Sequence, residues 1–103
     1  MKIYIAGPIT GHLNYRSKFK KAENELIKKG HTVLNPAYLP DGLKDYIKIC
    51  KAMIDQSDAL YMLEGHEDSV GAKEELEYAH TTKKKVLFDE NAVNIPKGNR
   101  GLY

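Results

Sequence analysis

Four short apolar runs, each cut off by glycine, proline or a turn-forming residue, alternate with stretches whose apolar residues recur at helical spacing. The runs cover residues 2–6, 31–35, 58–63 and 85–88. Strands alternating with helices over such short connections leave few topologies. Parallel strands need crossover segments, and those crossovers are right-handed and place helices on the faces of one sheet. The expectation is an α/β fold: a flavodoxin- or Rossmann-like three-layer sandwich around a four- to five-stranded parallel sheet, order 2-1-3-4. With 103 residues the chain makes one domain with one modest core. Residues 1–88 are expected to form it. The segment 89–103, broken by Pro96, Gly98 and Gly101, is expected to be an irregular tail that either frays or folds over a site or a neighbouring subunit.

Gly7-Pro8 stops the first run and opens a tight loop bracketed by Gly11. A strand that ends in such a loop before a helix is a usual place for an anionic or sugar ligand, although neither the G-x-G-x-x-G nor the Walker spacing is present. Asn14 or Ser17 is expected to cap the helix that follows. Phe19, Ala22, Leu26 and Ile27 form its apolar stripe and Gly30 its stop. After the second run, Asn35-Pro36 and a loop with Pro40 and Gly42 are too rich in breakers for helix. A second amphipathic helix is expected over about residues 43–55, with Leu43, Tyr46, Ile47, Cys50, Met53 and Ile54 facing inward. The third run is apolar on both faces, which places it centrally in the sheet. Tyr4 either stacks or hydrogen-bonds near the site or packs in the core, and alternation along the first run favours the core; His66 and Glu67 are expected to face solvent from a loop.

Residues 69–79, Ser-Val-Gly-Ala-Lys-Glu-Glu-Leu-Glu-Tyr-Ala, read as a turn feeding a helix that runs to about residue 82. On a helical wheel Ala72, Leu76 and Ala79 define the inward stripe, and Glu75 falls on its edge. A carboxylate on the buried side of a first turn is expensive to desolvate. Two explanations stand open on the residues alone: an acid placed to suit the helix macrodipole, or a reactive carboxylate at the mouth of a cleft.

A net charge of +2 is too small to argue for a nucleic-acid polymer or a membrane surface. The single cysteine, Cys50, excludes an internal disulfide and suits a reducing, cytoplasmic setting. His12, His31, His66 and His80 are scattered, with no metal-ligand spacing, so no metal and no other cofactor is expected. No apolar run approaches the length of a membrane span.

In order 2-1-3-4 the topological switch point falls between the first and third strands, and ligands bind at the strand carboxyl ends there. That collects the loops 7–14, 35–42 and 64–71 beside the helix bearing Glu75. Three pieces, Tyr4-Ile-Ala-Gly-Pro-Ile-Thr-Gly11, Ser57-Asp58-Ala-Leu and Ser69-x-Gly71-x-x-x-Glu75-Leu76-x-x-Ala79, resemble the nucleoside 2-deoxyribosyltransferase superfamily. The resemblance reaches to about Phe88 and is nearest the small members common in phages and bacteria. It implies an enzyme of N-glycosidic bonds, a 2-deoxyribosyltransferase or a deoxynucleotide N-glycosidase, with Glu75 as nucleophile. By the same resemblance Gly7, Ile9 and Thr10 line the sugar and base. Ser69 stands where the transferases carry a sugar-binding aspartate and the 5′-monophosphate N-glycosidases a serine. Ser69 and Gly71 at a helix start also suit an anion physically. Asn35 either binds ligand or satisfies its own turn. The partner implied is a small-molecule nucleoside or nucleotide, and the assembly a homodimer or larger homo-oligomer. One departure stands out: the family's second carboxylate, eight residues before Asp58, is here Cys50. A protein that keeps the cleft and binds a nucleotide signal without turnover is therefore the alternative.

Overall fold

A computed structural model describes residues 1–9, 12–90 and 92 of the chain. Strands β1 (Lys2–Ala6), β2 (Thr32–Leu34), β3 (Ala59–Met62) and β4 (Lys85–Phe88) form a parallel sheet in the order β2-β1-β3-β4. The crossovers are helices α1 (Tyr15–Lys28), α2 (Tyr46–Asp55) and α3 (Val70–Thr81). The expected three-layer architecture and strand order are both present.

Period-two alternation in β1 and β3 divides the core. Ile3, Ile5 and Ala59 point to one face, where Phe19, Ala22 and Leu26 of α1 cover them. Tyr4, Ala6, Leu60 and Met62 point to the other, under Cys50 and Ile54 of α2 and Ala72, Leu76 and Ala79 of α3. Both interior strands are therefore apolar on both sides, as expected for the third run. Burying each Ile or Leu contributes about 1.5–3 kcal/mol, so these two strands anchor the layers.

Several local expectations are corrected. Ile27 is 52% exposed; it lies about 80° round the helix from Phe19, beyond the strip that the sheet covers. Asn14 takes the position before α1 but its side chain makes no capping bond, and Ser17 lies inside the helix. Helix α2 starts at Tyr46, with Leu43 outside it, because Asp45 caps it by accepting from the Lys48 N–H at 3.1 Å. Tyr46 is not inward: its hydroxyl donates to the Pro40 carbonyl at 2.6 Å and accepts from the Leu43 N–H at 3.2 Å, tying down the preceding loop. The segment after β2 does contain a single 3-10 turn, Pro36–Tyr38. Asn35 caps it, and Pro36 sits at the first position, where its missing N–H is no loss.

After β3, Gly65 adopts a left-handed backbone (φ 88°), which lets the chain fold at once into a 3-10 turn, His66–Asp68. His66 consequently points inward rather than to solvent, fully buried against Phe88 with ring centroids 5.8 Å apart. On the α1 side, Tyr61, Leu63 and Leu87 at the ends of β3 and β4 pack at the margin of the cluster that holds Phe19, Ala22 and Leu26. An open hollow of about 630 Å³ remains there between Lys18, Lys21 and Ala22 of α1 and Tyr61 and Leu63. Among the described residues no helix is long and apolar enough to cross a membrane. The expected packing of the tail on a neighbouring subunit concerns residues that lie, from 93 onward, outside the described ones.

Candidate functional site

Where the strand order reverses, between the carboxyl ends of β1 and β3, a cleft of about 350 Å³ opens on the side of α2 and α3. Gly7 and Ile9 of the β1–α1 loop form one side. Pro36, Leu39 and Asp41 come from the β2–α2 connection, Tyr46, Ile47 and Cys50 from α2, and Ser69, Gly71 and Glu75 from the start of α3. Three loops that are far apart in sequence thus converge as the switch-point rule requires.

Glu75 occupies the floor. It sits one turn into α3 on the edge of the stripe that packs on the sheet, and only 8% of it is exposed. The Tyr4 hydroxyl donates to its Oε2 at 2.5 Å from the middle of β1. The Cys50 thiol of α2 interacts with the same carboxylate and with the same phenol. Burial pushes Glu75 up to about 7, with a smaller contribution from the neighbouring Glu74 charge, while hydrogen bonds from Tyr4 and Cys50 pull the other way. Burial, together with the Glu75 charge, holds the Tyr4 phenol well above its usual range, so Tyr4 remains a donor. Burial also pushes the Cys50 thiol up to about 11, a rise to which Glu75 adds, so at neutral pH it is a thiol and not a thiolate.

The start of α3 is built from its cap. Ser69 has extended backbone and its Oγ accepts from the Ala72 N–H at 3.2 Å. A hydroxyl that accepts there keeps its own proton for another partner. At Gly71 an added Cβ would meet nothing within 4 Å, so the helix start is open to the cleft. Gly7 is the reverse case. A Cβ there would stand 2.9 Å from the Leu63 Cβ, because the loop after β1 passes directly over the end of β3.

Of the residues singled out from sequence, the fold brings Gly7, Ile9, Ser69, Gly71 and Glu75 to one cleft. Thr10 lies outside the described residues. Asn35 is buried behind the wall. Its Oδ1 accepts from the Ala37 N–H at 2.9 Å and its Nδ2 donates to Glu23 Oε1 at 3.2 Å, so its side chain serves its own turn. Of the two roles open to Tyr4 from sequence, core packing and a hydrogen bond near the site, it fills both: it is a core residue and also the partner of Glu75. Alternation along β1, which sends Tyr4 to the face that α3 covers, is the signal that identifies this. Leu39 and Asp41 come from the 35–42 loop expected at the cleft, and Ile47, expected to face inward from the second helix, completes that wall. Among the described residues no three or more His, Cys, Asp or Glu side chains gather as a metal-binding set.

A carboxylate that titrates near neutrality, oriented through one oxygen and set in a cleft with an apolar wall, is chemically equipped to act as nucleophile or base.

The family model described as Domain of unknown function (DUF4406) matches residues 1–88. No curated protein matches the sequence. A solved structure of the 2-deoxyribosyltransferase from the psychrotolerant bacterium Bacillus psychrosaccharolyticus is similar in fold. Its TM-score is 0.71 at 24% identity, over 91% of this chain and 77% of that one.

Proposed function

The chain belongs to the family described as Domain of unknown function (DUF4406), and from that footing we propose that it acts on the N-glycosidic bond of a nucleoside or nucleotide. The reaction is that of a 2-deoxyribosyltransferase or a deoxynucleotide N-glycosidase. The observation that carries this reading is Glu75: a buried carboxylate at the switch-point cleft, held by Tyr4 and pushed up to about 7. The fold it shares with a 2-deoxyribosyltransferase supports the same substrate class.

In the proposed reaction an oxygen of the Glu75 carboxylate attacks the anomeric carbon. The carbon–nitrogen bond breaks, and its electron pair leaves with the base, which takes a proton from water in the open cleft. A second base or water then attacks the same carbon and frees Glu75. Tyr4 positions the carboxylate by holding Oε2. Gly7 and Ile9, with Thr10 by resemblance, line the sugar and base. Ser69 and Gly71 receive the sugar or its 5′-phosphate at the start of α3, where the macrodipole and free N–H groups favour an anion. The test is incubation of the purified protein with a panel of 2′-deoxynucleosides and their 5′-monophosphates, reading free base by chromatography. Wild type should release or exchange base from at least one, and Glu75→Ala should lose about a thousandfold or more. No release from any, or an unaffected variant, refutes the proposal. As part of the same proposal the protein is a homodimer or larger; a monomer mass in sedimentation refutes that part alone.

One observation favours a second reading, a nucleotide-binding protein without turnover. The thiol of Cys50 occupies the position of the superfamily's second carboxylate and, pushed up to about 11, carries little proton traffic at neutral pH. Calorimetry that finds tight nucleotide binding with no product supports this reading; breakdown of the bound ligand removes it.

A further inference from the structure

Glu23 is a second buried carboxylate, 8% exposed, and the chemistry above makes no use of it. It lies on α1 between Phe19 and Leu26, turned toward the segment that follows β2. Three donors converge on it: Asn35 Nδ2 on Oε1 at 3.2 Å, and both the Tyr38 hydroxyl and Lys20 Nζ on Oε2 at 3.0 Å. Burial alone would raise its proton affinity, but the hydrogen bonds from Lys20, Asn35 and Tyr38 outweigh this and hold it below the usual carboxylate range. The group is therefore charged at neutral pH.

Its effect passes through Asn35. An amide has one acceptor end and one donor end. With the donor end committed to Glu23, the acceptor end must face the Ala37 N–H, which it does at 2.9 Å. That bond caps the 3-10 turn Pro36–Tyr38, and Tyr38, inside the turn, is tied to the same carboxylate. One side chain thus fastens the turn both before and within it. Pro36 and Leu39, carried by this segment, form part of the apolar wall of the cleft. Arg16, also on α1, reaches the same segment at the Ala37 carbonyl (3.5 Å) and at Asp41 (3.9 Å).

We propose that Glu23 is a positioning residue: through Asn35 and Tyr38 it fixes the Pro36–Leu39 wall in place, and so governs ligand affinity without touching ligand. The place of the wall is independent of the reaction; only the identity of the ligand rests on the functional reading. The test compares Glu23→Leu, which removes both acceptors, with Glu23→Gln, which keeps one. Amide exchange at Ala37 should quicken about tenfold or more in Glu23→Leu while β1 and α3 amides stay unchanged, and Glu23→Gln should restore most of the protection. With 2′-deoxyadenosine 5′-monophosphate as probe, KM or Kd should rise about tenfold, with kcat and its pH midpoint unmoved. A purely structural role would instead lower melting temperature and active fraction with KM intact, and that result overturns the proposal. So does undisturbed exchange at Ala37. If wild type neither binds nor cleaves the probe, the functional reading loses support, and the exchange measurement alone still decides the positioning claim. Should Glu23→Leu fail to fold, Glu23→Ala replaces it, which leaves the Asn35 acceptor in place and must give the same local loss of protection at Ala37.

Discussion

Glu75→Gln should make the protein more stable, and only in one pH range. In the folded chain burial moves this carboxyl from its ordinary 4.5 to about 7, whereas the unfolded chain returns it to the ordinary value. Between those two values the folded state holds a proton that the unfolded state has released. Stability therefore falls as pH rises through that window, and the loss is complete above it. The displacement corresponds to about 3 kcal/mol withheld at neutral and alkaline pH. Glutamine never ionises and can still accept from Tyr4, but its amide protons need partners of their own, which costs about 1 kcal/mol. The net gain above neutrality is about 2 kcal/mol, or about 8–10 °C in melting temperature for a chain of this size. The assay is thermal unfolding of both proteins at about pH 4.5 and about pH 8; at the lower pH the ionisation penalty has nearly vanished and only the amide cost is left, so Glu75→Gln should be slightly less stable there, by about 0.5 kcal/mol. An equal gain at both pH values, or a loss at the higher one, refutes the argument that burial strains this charge.

Four further outcomes follow from the same geometry. Tyr4→Phe removes the donor on Oε2, so the Glu75 midpoint, read by carbon NMR of the carboxyl, should rise above about 7 by about one pH unit; an unchanged or lower midpoint contradicts this. Gly7→Ala forces a Cβ against Leu63 and should cost about 1–3 kcal/mol in denaturant unfolding. Gly71→Ala meets open space and should leave stability within about 0.5 kcal/mol while weakening nucleotide binding, and retained affinity would argue against an anion at the start of α3. Cys50→Asp supplies an acid beside Glu75, and base release should increase by about a hundredfold; no increase would mean that a second carboxylate is not what limits turnover.

Much of the fold is legible in the chain because each apolar run is interrupted by a residue that cannot continue it. The strand order and the convergence of three loops follow from that alternation. Where reading fails, a local contact overrides a pattern. Apolar spacing extends the second helix back to Leu43, but Asp45 captures the Lys48 N–H and the helix begins there. The stripe on α1 includes Ile27 by periodicity, but the sheet covers a narrower strip. His66 looks like a loop residue until Gly65 turns it inward. At the site, the wheel places Glu75 correctly on the edge of the buried stripe. Its partner Tyr4 lies 71 residues away, and no spacing rule links positions so distant without a topology. Asn35 reads equally well as a ligand contact or a turn former, and only the position of Glu23 separates the two.

The hollow beside α1 bears on how a chain of this kind can grow. The cleft and the hollow lie on opposite faces of one sheet, so material laid over the ends of β3 and β4 need not approach Glu75 at all. The transferase with the same fold is the longer chain. An architecture whose open room, among the described residues, lies on the face away from Glu75 can gain mass, or take on new neighbours, while the cleft is left undisturbed.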